Sequence, residues 1–280
     1  MRLSEIIRYP IKSCRGTSVA RAWVGRRGIE HDRRWMIVDD TGRFVTQREE
    51  HRLALVDVTI DGDDMLVSAR EHSGVTLPLV LGEGDPVRVG IWRSEVDAVV
   101  HPLGSAWFAA FLGREVRLVY MQESALRGVN PKYGAPEDVV SFADGYPLLL
   151  TSEGSLRDLG DRIEARGGER VPMIRFRPNV VVTGVPPWDE DAWGAFTIGG
   201  VPFRAPKPCD RCVITTIDPE TARAESEPLR TLATFRRWSL PSQPAGVWFG
   251  VNLVPDEAGP IAVGDAIVVT ARRALDLRGA

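Results

Sequence analysis

The 280-residue sequence predicts an α+β protein that is mainly β and is built on barrels or sandwiches. Most of its periodic segments are short, rich in Val, Ile, Leu and Trp, and bounded by Gly, Pro and Asp, which is typical of strands. Helical patterns are few and scattered along the chain. Because they do not alternate with every strand, the pattern disfavours a doubly wound parallel sheet.

Ten segments are predicted to be strands because their β-branched and aliphatic side chains suit a half-buried pleated surface. In chain order they are RRWMIVDD, LALVDVTI, MLVSA, VRVGIW, VDAVV, VRLVYM, NVVVTG, FTIGGVPFRA, CVITTI and AIVVTA. The tryptophans, Trp23, Trp35 and Trp92 among them, are predicted to fill the core and the barrels and not to form a binding platform.

Three helices are predicted. GSAWFAAFLG covers 104–113, SEGSLRDLGDRIEARG begins at Ser152, and EPLRTLATFRRW begins at Glu227. In the second, Ser152 or Ser155 can cap the first turn, and Gly167 follows as a stop signal. Leucines and an isoleucine recur on one face of this segment, as in an amphipathic helix.

A polar run with several Gly and Pro residues, 121–147, separates two strongly structured halves. Such a run is where a domain boundary is expected. We therefore predict a boundary near residue 120, with one domain over 1–120 and another over 121–280.

The composition excludes several classes of function. The net charge is −3 and no long run of Lys or Arg occurs, so nothing favours nucleic acid as a partner. Neither a secretion signal nor an apolar stretch of about 18 residues is found, so no membrane span is expected. Three cysteines, an odd number, favour reduced thiols. We expect a cytoplasmic protein.

Two of those cysteines, Cys209 and Cys212, lie three positions apart in KPCDRCVITTIDPETA. Zinc sites, dithiol redox centres and metal-cofactor sites all use this spacing. A structural zinc ion needs four ligands, and only Cys14 and four scattered histidines could complete the set. A thioredoxin-like dithiol would begin a helix, whereas CVITTI is predicted to continue as a strand. Three cysteines cannot supply the four thiolates of an iron–sulfur cluster.

Two buried, unreactive cysteines at the start of a strand remain an alternative. Arg211 lies between the two cysteines and Lys207 lies just before them. Cationic neighbours lower the pKa of a thiol. This arrangement favours a chemical role for the pair.

The segment PCDRCVITTIDPETA, together with RFRPNVVVTG, resembles the core of a MOSC domain. That fold is shared by the C-terminal region of molybdenum cofactor sulfurases and by the mitochondrial amidoxime reducing component. YPIKSCRG followed by RGIEHDRRWMIVDDTGRFVTQRE resembles the β-barrel-type N-terminal domain that precedes MOSC in that group. The motifs occur in the family's order over essentially the whole chain, which implies a MOSC N-terminal β-barrel-type domain followed by a MOSC β-barrel domain.

The resemblance implies a molybdenum cofactor, a pyranopterin with one phosphate whose dithiolene holds the metal. Cys212 matches the cysteine that acts as a further, catalytic metal ligand, and soft thiolates suit such a metal. Cys209 then has a supporting role, and Cys14 is a small buried residue. Cations and an amide are suitable hosts for the phosphate and the pterin edge. The cofactor-contacting positions that the resemblance implies are Lys12, Ser13, Arg33, Asp144, Gly145, Tyr146, Arg177, Asn179, Arg211, Cys212 and Asn252.

Three of these positions depart from the mitochondrial pattern. Gly145 and Tyr146 differ from it within SFADGYPLLL, and Asn252 stands where the mitochondrial members have a tyrosine. Backbone contacts of Gly145 and Tyr146 to a cofactor could survive such changes, whereas side-chain contacts could not. Asn252 implies a different polarity on the substrate side.

The function implied is reduction of N-hydroxylated compounds such as amidoximes, hydroxylamines and N-hydroxylated bases. Some bacterial relatives carry a ferredoxin-like domain after MOSC, which this sequence lacks, and no Gly-rich dinucleotide fingerprint follows a strand. Electrons are therefore expected from a separate ferredoxin-like protein or flavoprotein reductase. The alternative is a non-catalytic molybdenum cofactor carrier or a sulfur-handling module.

Overall fold

The computed structural model describes residues 1–239 and 245–273, and within these ranges the protein is mainly β, as predicted. The helices there are α1 (Pro102–Leu112), α2 (Glu153–Glu164) and α3 (Leu229–Leu232). The strands there are β1 (Arg2–Arg8), β2 (Thr17–Val19), β3 (Arg21–Gly25), β4 (Gly28–Ile29), β5 (Trp35–Val38), β6 (Val56–Asp61), β7 (Asp64–Ala69), β8 (His72–Pro78), β9 (Asp85–Ile91), β10 (Ser94–His101), β11 (Arg117–Tyr120), β12 (Leu148–Ser152), β13 (Val180–Thr183), β14 (Trp193–Ile198), β15 (Val201–Asp210), β16 (Arg237–Trp238), β17 (Gly246–Pro255), β18 (Gly259–Ala262) and β19 (Ile267–Arg272). No helix in these ranges is long and apolar enough to cross a membrane.

The largest sheet joins strands from both ends of the sequence. Its order is β19-β14-β15-β17-β12-β13-β1-β2, with β16 beside β17. β1 runs antiparallel to β13, and β12 runs parallel to β13. The loop that follows β1 is therefore held beside strands of the second half of the chain.

Three smaller sheets complete the described fold, in the orders β5-β11-β10-β9, β18-β3-β4 and β6-β7-β8. One core lies on the large sheet and contains Leu3, Phe196 and Phe203. A second lies under α1 and contains Trp35 and Phe108. β1 and β3 pair with β13 and β18, which follow residue 120, so the first residues of the chain contribute to sheets of the second half. The domain boundary near residue 120 stays a prediction.

The first two predicted helices are confirmed and are held by local caps. His101 accepts a hydrogen bond from the Gly104 amide at the start of α1, and Gly113 ends that helix with φ of 68°. Ser152 caps α2 by accepting from the Ser155 amide. These caps satisfy backbone groups that have no partner inside the helix.

The third predicted helix is wrong in its extent. α3 ends at Leu232, and the chain then enters β16, where Trp238 is buried. Arg236 lies between these elements and pairs with the buried carboxylate of Asp191. A buried ion pair and a buried indole outweigh a helix propensity of only tenths of a kcal/mol per residue, so the helix stops early.

The predicted strand CVITTI is also wrong. β15 ends at Asp210, and Val213–Thr216 form a 3-10 helix. The Thr215 and Thr216 hydroxyls donate to the carbonyl oxygens of Cys212 and Val213 at 3.0 and 2.7 Å. Such local side-chain bonds stabilise a turn in place of a ladder. FTIGGVPFRA, predicted as one strand, is a hairpin of β14 and β15 that turns at Gly199 and Gly200.

The prediction that the tryptophans fill the core holds for Trp35, Trp193 and Trp248, which are at most 1% exposed. It is wrong for Trp23 and Trp92, which are 50% and 53% exposed. Trp23 lies on β3, where alternate side chains face away from the core, and Trp92 lies in the tight loop between β9 and β10.

Glu190 gives the fold a pH dependence that can be measured. Its side chain is fully buried, and burial together with the Asp191 charge raises its pKa to about 7. An acid whose folded pKa is raised binds more protons in the folded state, so its contribution to stability is lost as pH rises from about 4.5 towards 7. We expect Glu190→Gln to remove this loss, which amounts to up to about 3 kcal/mol. Urea unfolding of both proteins at pH 5 and pH 8 checks this. If the two proteins differed in free energy of unfolding by the same amount at both pH values, the expectation would be contradicted.

Candidate functional site

A central cavity opens where the large sheet meets the loop that follows β1. All eleven residues singled out from the sequence line it. Those residues are Lys12, Ser13, Arg33, Asp144, Gly145, Tyr146, Arg177, Asn179, Arg211, Cys212 and Asn252. Arg48, Phe176, Cys209 and Ile214 line it too. Residues up to 240 positions apart in the sequence therefore share one concave site.

Strand ends supply most of these side chains. Lys12 and Ser13 follow β1, Arg177 and Asn179 precede β13, and Cys212 follows β15. Since β1 and β13 are antiparallel, the end of β1 and the start of β13 lie at the same edge of the sheet. Cys212 lines the same cavity from beyond the end of β15. Asp144 to Tyr146 enter from the segment that leads into β12, and Asn252 lies within β17.

A chain of hydrogen bonds through Asp144 and Arg48 links Lys12 to Cys212. The Lys12 Nζ donates to Asp144 Oδ1 at 2.5 Å and to the Phe142 carbonyl oxygen at 2.8 Å. Arg48 Nη2 donates to Asp144 Oδ2 at 3.0 Å and to Cys212 Sγ at 3.3 Å. Asp144 therefore fixes two cations, one of which contacts the cysteine sulfur.

The pKa values in this chain follow from burial and charge. Burial lowers the pKa of Lys12 to about 8, although the Asp144 carboxylate opposes that shift. Burial acts to raise the pKa of Asp144, but Lys12 and Arg48 outweigh it and hold that pKa well below its usual range. Asp144 is therefore ionised at neutral pH and can accept hydrogen bonds but cannot donate a proton.

Arg33 and Asn179 form a brace behind the cavity. Arg33 Nη1 donates to Asp32 Oδ2 at 2.6 Å and to Asn179 Oδ1 at 2.8 Å. Asn179 Nδ2 donates in turn to the Ile7 carbonyl oxygen, and Asp32 accepts from the Tyr9 amide. Asn179 is 1% exposed and its side-chain atoms are already bonded within the protein, so its side chain holds strands β1 and β13 together.

Arg177 and Arg211 carry N–H groups that the described residues leave without an acceptor. Arg177 has a left-handed backbone, with φ of 54°, and its guanidinium lies 4.4 Å from the Tyr9 ring. Its Nη2, like Nη1 of Arg48 and Nε of Arg211, is buried with no hydrogen-bond partner in the described part of the chain. Buried donors without acceptors cost free energy, so these groups are suited to an anionic ligand.

The two cysteines have different surroundings. Cys209 Sγ accepts from Arg211 Nη1 at 2.9 Å, whereas Cys212 Sγ accepts from Arg48. Burial raises the pKa of the Cys209 thiol, although Arg211 and Lys207 act to lower it as expected. Cys14 is fully buried and burial raises its pKa as well, which fits the small buried residue that was expected.

The cavity has an excess of positive charge. Five cations, Lys12, Arg33, Arg48, Arg177 and Arg211, line it against the single carboxylate of Asp144. Within 1–239 and 245–273, no three His, Cys, Asp or Glu side chains are grouped to hold a metal ion. The site thus suits an anionic group beside the cysteine sulfurs that line the same cavity.

The sequence reasoning missed Arg48. It lies in the segment RGIEHDRRWMIVDDTGRFVTQRE, which carries the family resemblance, but it is 164 positions from Cys212. No local pattern distinguishes an arginine that contacts a distant cysteine from one on a solvated face. Its place within a motif that already contains Arg33 was the available signal.

Comparison with known proteins assigns the family. The MOSC N-terminal beta barrel domain matches residues 1–115, and the MOSC domain matches residues 137–268. The chain belongs to the MOSC family. Together these matches cover both halves of this MOSC protein, as the sequence motifs predict.

Curated relatives of this MOSC protein extend over most of its length. The human protein named mitochondrial amidoxime-reducing component 1 is 33% identical, covering 92% of this chain and 80% of the relative. The mouse protein of that name is 32% identical over 92% of this chain and 79% of the relative. The rat protein named mitochondrial amidoxime reducing component 2 is 30% identical over 95% of this chain and 82% of the relative.

Proposed function

We propose that this MOSC protein is a molybdenum-cofactor-dependent oxidoreductase that reduces N-hydroxylated compounds with electrons from an external partner. The observation that carries the proposal is the contact of the Cys212 sulfur with Arg48 in a cavity lined by five cations. The names of the curated relatives, which are amidoxime-reducing components, support the same reaction class.

The residues present fit such a cofactor. A phosphate needs N–H donors, and the buried Nη2 of Arg177 and Nε of Arg211 have no acceptor among the described residues. A metal already bound by sulfur favours a further soft ligand, and Cys212 lines the same cavity. Lys12, Arg177 and Arg211 would hold the phosphate and Cys212 the metal, while the backbone of 144–146 would line the group. When bound, the cofactor supplies the two electrons that break the N–O bond.

Each of the chain's own residues has a defined task in this proposal. Arg48 holds the Cys212 sulfur in place through its N–H, and Asp144 fixes both Arg48 and Lys12. Arg33 and Asn179 keep the β1 and β13 ends together, so that the cations stay at fixed positions. Hydrogen-bond donors that the fold already holds in position do not have to reorganise when charge develops in the reaction.

The overall reaction consumes two electrons and two protons for each substrate molecule. The N–O bond breaks, the oxygen leaves as water, and an amidoxime becomes an amidine or a hydroxylamine becomes an amine. The chain's three cysteines cannot ligate an iron–sulfur cluster, and no Gly-rich dinucleotide fingerprint follows a strand. A ferredoxin-like protein or a flavoprotein reductase is therefore proposed as the electron donor. Three free cysteines suit a reducing compartment such as the cytoplasm.

The test is turnover by protein from a host that makes the cofactor. We expect molybdenum and a pterin to co-purify in near-equal amounts. We also expect benzamidoxime to be reduced with a chemical electron donor but not with NADH alone, because the sequence offers no site of NADH oxidation. Product formation is measured by chromatography and molybdenum by elemental analysis.

Three results would contradict the proposal. Zinc without a pterin would show that Cys209 and Cys212 belong to another kind of site. Reduction with NADH alone would reveal an electron entry point that the proposal lacks. Full molybdenum loading without turnover of any N-hydroxylated substrate would favour the cofactor carrier.

A further inference from the structure

A second concave site adjoins the central cavity. This outer cleft has a volume of about 630 Å³ and is lined by Trp92, Arg93, Tyr133, Tyr146 and Lys207, among others. It shares Asp144, Gly145 and Tyr146 with the central cavity. A molecule that reaches Cys212 past these three shared residues would therefore have the rest of its body in the outer cleft.

Trp92 lines this cleft and has a strained backbone conformation. It occupies the first position of the two-residue loop between β9 and β10, where Ile91 pairs with Ser94. Its φ is 55°, a left-handed value that favours Gly or Asn in such a loop and is rare for a bulky side chain. Its side chain is nevertheless 53% exposed, so burial of the indole does not offset the strain. Strained residues of this kind cluster at ligand sites.

The indole is also held in a fixed position. Its Nε1 donates to Asp144 Oδ1 at 3.3 Å, the Arg48 guanidinium lies 4.8 Å from its ring, and the Phe44 ring lies 5.2 Å away. Asp144 and Arg48 are the residues that lead to Cys212. Trp92 is therefore a rigid aromatic surface at the boundary between the outer cleft and the central cavity.

The polar groups of the cleft favour an anion. Arg93 is exposed, and within 1–239 and 245–273 no carboxylate forms an ion pair with it. The Tyr133 hydroxyl is buried without a hydrogen-bond partner in the described residues. Asp144 is the carboxylate that lines this cleft, and Lys12 and Arg48 already bind it. A ligand with a negatively charged group would find the exposed Arg93 guanidinium here.

From this geometry we infer that the outer cleft is the substrate-body site, and that it takes a planar aromatic ring with an anionic substituent. The ring stacks on Trp92, the anionic group faces Arg93, and the N–O group extends to the central cavity. The inference rests on the proposed function for the identity of the reacting group. The preferred substrate is thus an aromatic N-hydroxylated compound that carries a carboxylate or a phosphate-like group.

Binding without turnover tests the inference. The oxidised holoenzyme is titrated calorimetrically, with no electron donor, with acetamidoxime, benzamidoxime, 4-carboxybenzamidoxime and its 4-phosphono counterpart. We expect the aromatic ring to lower Kd about tenfold relative to acetamidoxime. The anionic group should lower it about threefold more, and the two anionic ligands show which anion the cleft prefers.

Variants assign these gains to particular side chains. Trp92→Leu should reduce the aromatic preference to about twofold, whereas Trp92→Phe, which keeps a ring but loses the indole N–H, should retain most of it. Arg93→Gln should remove the gain from the anionic group and leave the aromatic preference intact. Trp23→Leu and Arg26→Gln are matched controls, because Trp23 is 50% exposed and both line a different cleft. Neither control should change the ratios of Kd.

The two proposals fail in different ways. A holoenzyme that reduces all four compounds but binds them with equal Kd overturns the inference and leaves the proposed function standing. Preferences that survive in Trp92→Leu and Arg93→Gln overturn it as well. Ring and anion preferences that depend on Trp92 and Arg93 support the cleft, even in a protein that reduces none of the compounds and so fails the proposed function.

Discussion

Replacing Cys212 with Ala is expected to abolish reduction of benzamidoxime, with a loss of at least about 100-fold. Changes to residues that merely support a metal ligand cost about 10–100-fold in metal affinity or activity, and loss of the ligand itself should cost more. The variant lacks the sulfur that contacts Arg48, and with it the proposed metal ligand. The measurement is the rate with a chemical electron donor, set beside the molybdenum content of the same sample.

Cys209→Ala is the matched control. Its sulfur contacts Arg211 and the Asp210 carbonyl oxygen but not Arg48, so its loss removes these two contacts and leaves Cys212 in place. We expect this variant to retain molybdenum and a measurable part of the activity. Equal residual activity in the two variants would show that neither sulfur is the ligand that the reaction requires.

Local sequence signals predicted the parts of the fold that depend on neighbouring residues. The cap of α2 by Ser152 follows from backbone groups a few positions away, and α1 ends within a residue of the predicted segment 104–113. The strand predicted at 212–217 failed because the Thr215 and Thr216 hydroxyls bond to carbonyl groups three residues earlier. The helix predicted to reach Trp238 failed because contacts with distant segments decide its end. Propensity is a weak preference, and the burial of Trp238 or the pairing of Arg236 with Asp191 overrides it.

The candidate site was predictable to the extent that its residues lie in recognisable motifs. Eleven positions taken from separate motifs line one cavity. The sequence did not show which of their side chains form hydrogen bonds within the protein and are therefore not available to a ligand. Asn179 bonds to Arg33 and to the Ile7 carbonyl, so it braces the sheet, and the contact with the pterin that the resemblance implies stays a prediction. Arg48 and Trp92 act through contacts with Asp144, 96 and 52 positions away, which no spacing rule reaches.

Arg33→Met is expected to lower the free energy of unfolding of the cofactor-free protein by about 3–5 kcal/mol. Asp32 is 2% exposed, and Arg33 is its ion-pair partner among the described residues. Removing the guanidinium would leave a buried carboxylate that retains the Tyr9 amide as a donor. Methionine fills a similar volume, so the loss reports on charge and hydrogen bonds more than on packing.

A double-mutant cycle with Asp32→Asn separates the brace from a role in binding the cofactor. The amide that Asp32→Asn introduces is neutral, so the double variant carries no unpaired buried charge and should recover part of the stability that Arg33→Met loses. Urea unfolding of the four cofactor-free proteins measures the coupling directly. If Arg33→Met unfolds at the same urea concentration as the wild type and loses only the cofactor, Arg33 is a ligand and not a brace. A coupling energy of several kcal/mol would instead show that the ion pair between Asp32 and Arg33 holds the β1 and β13 ends, and with them the cations of the cavity, in place before any cofactor binds.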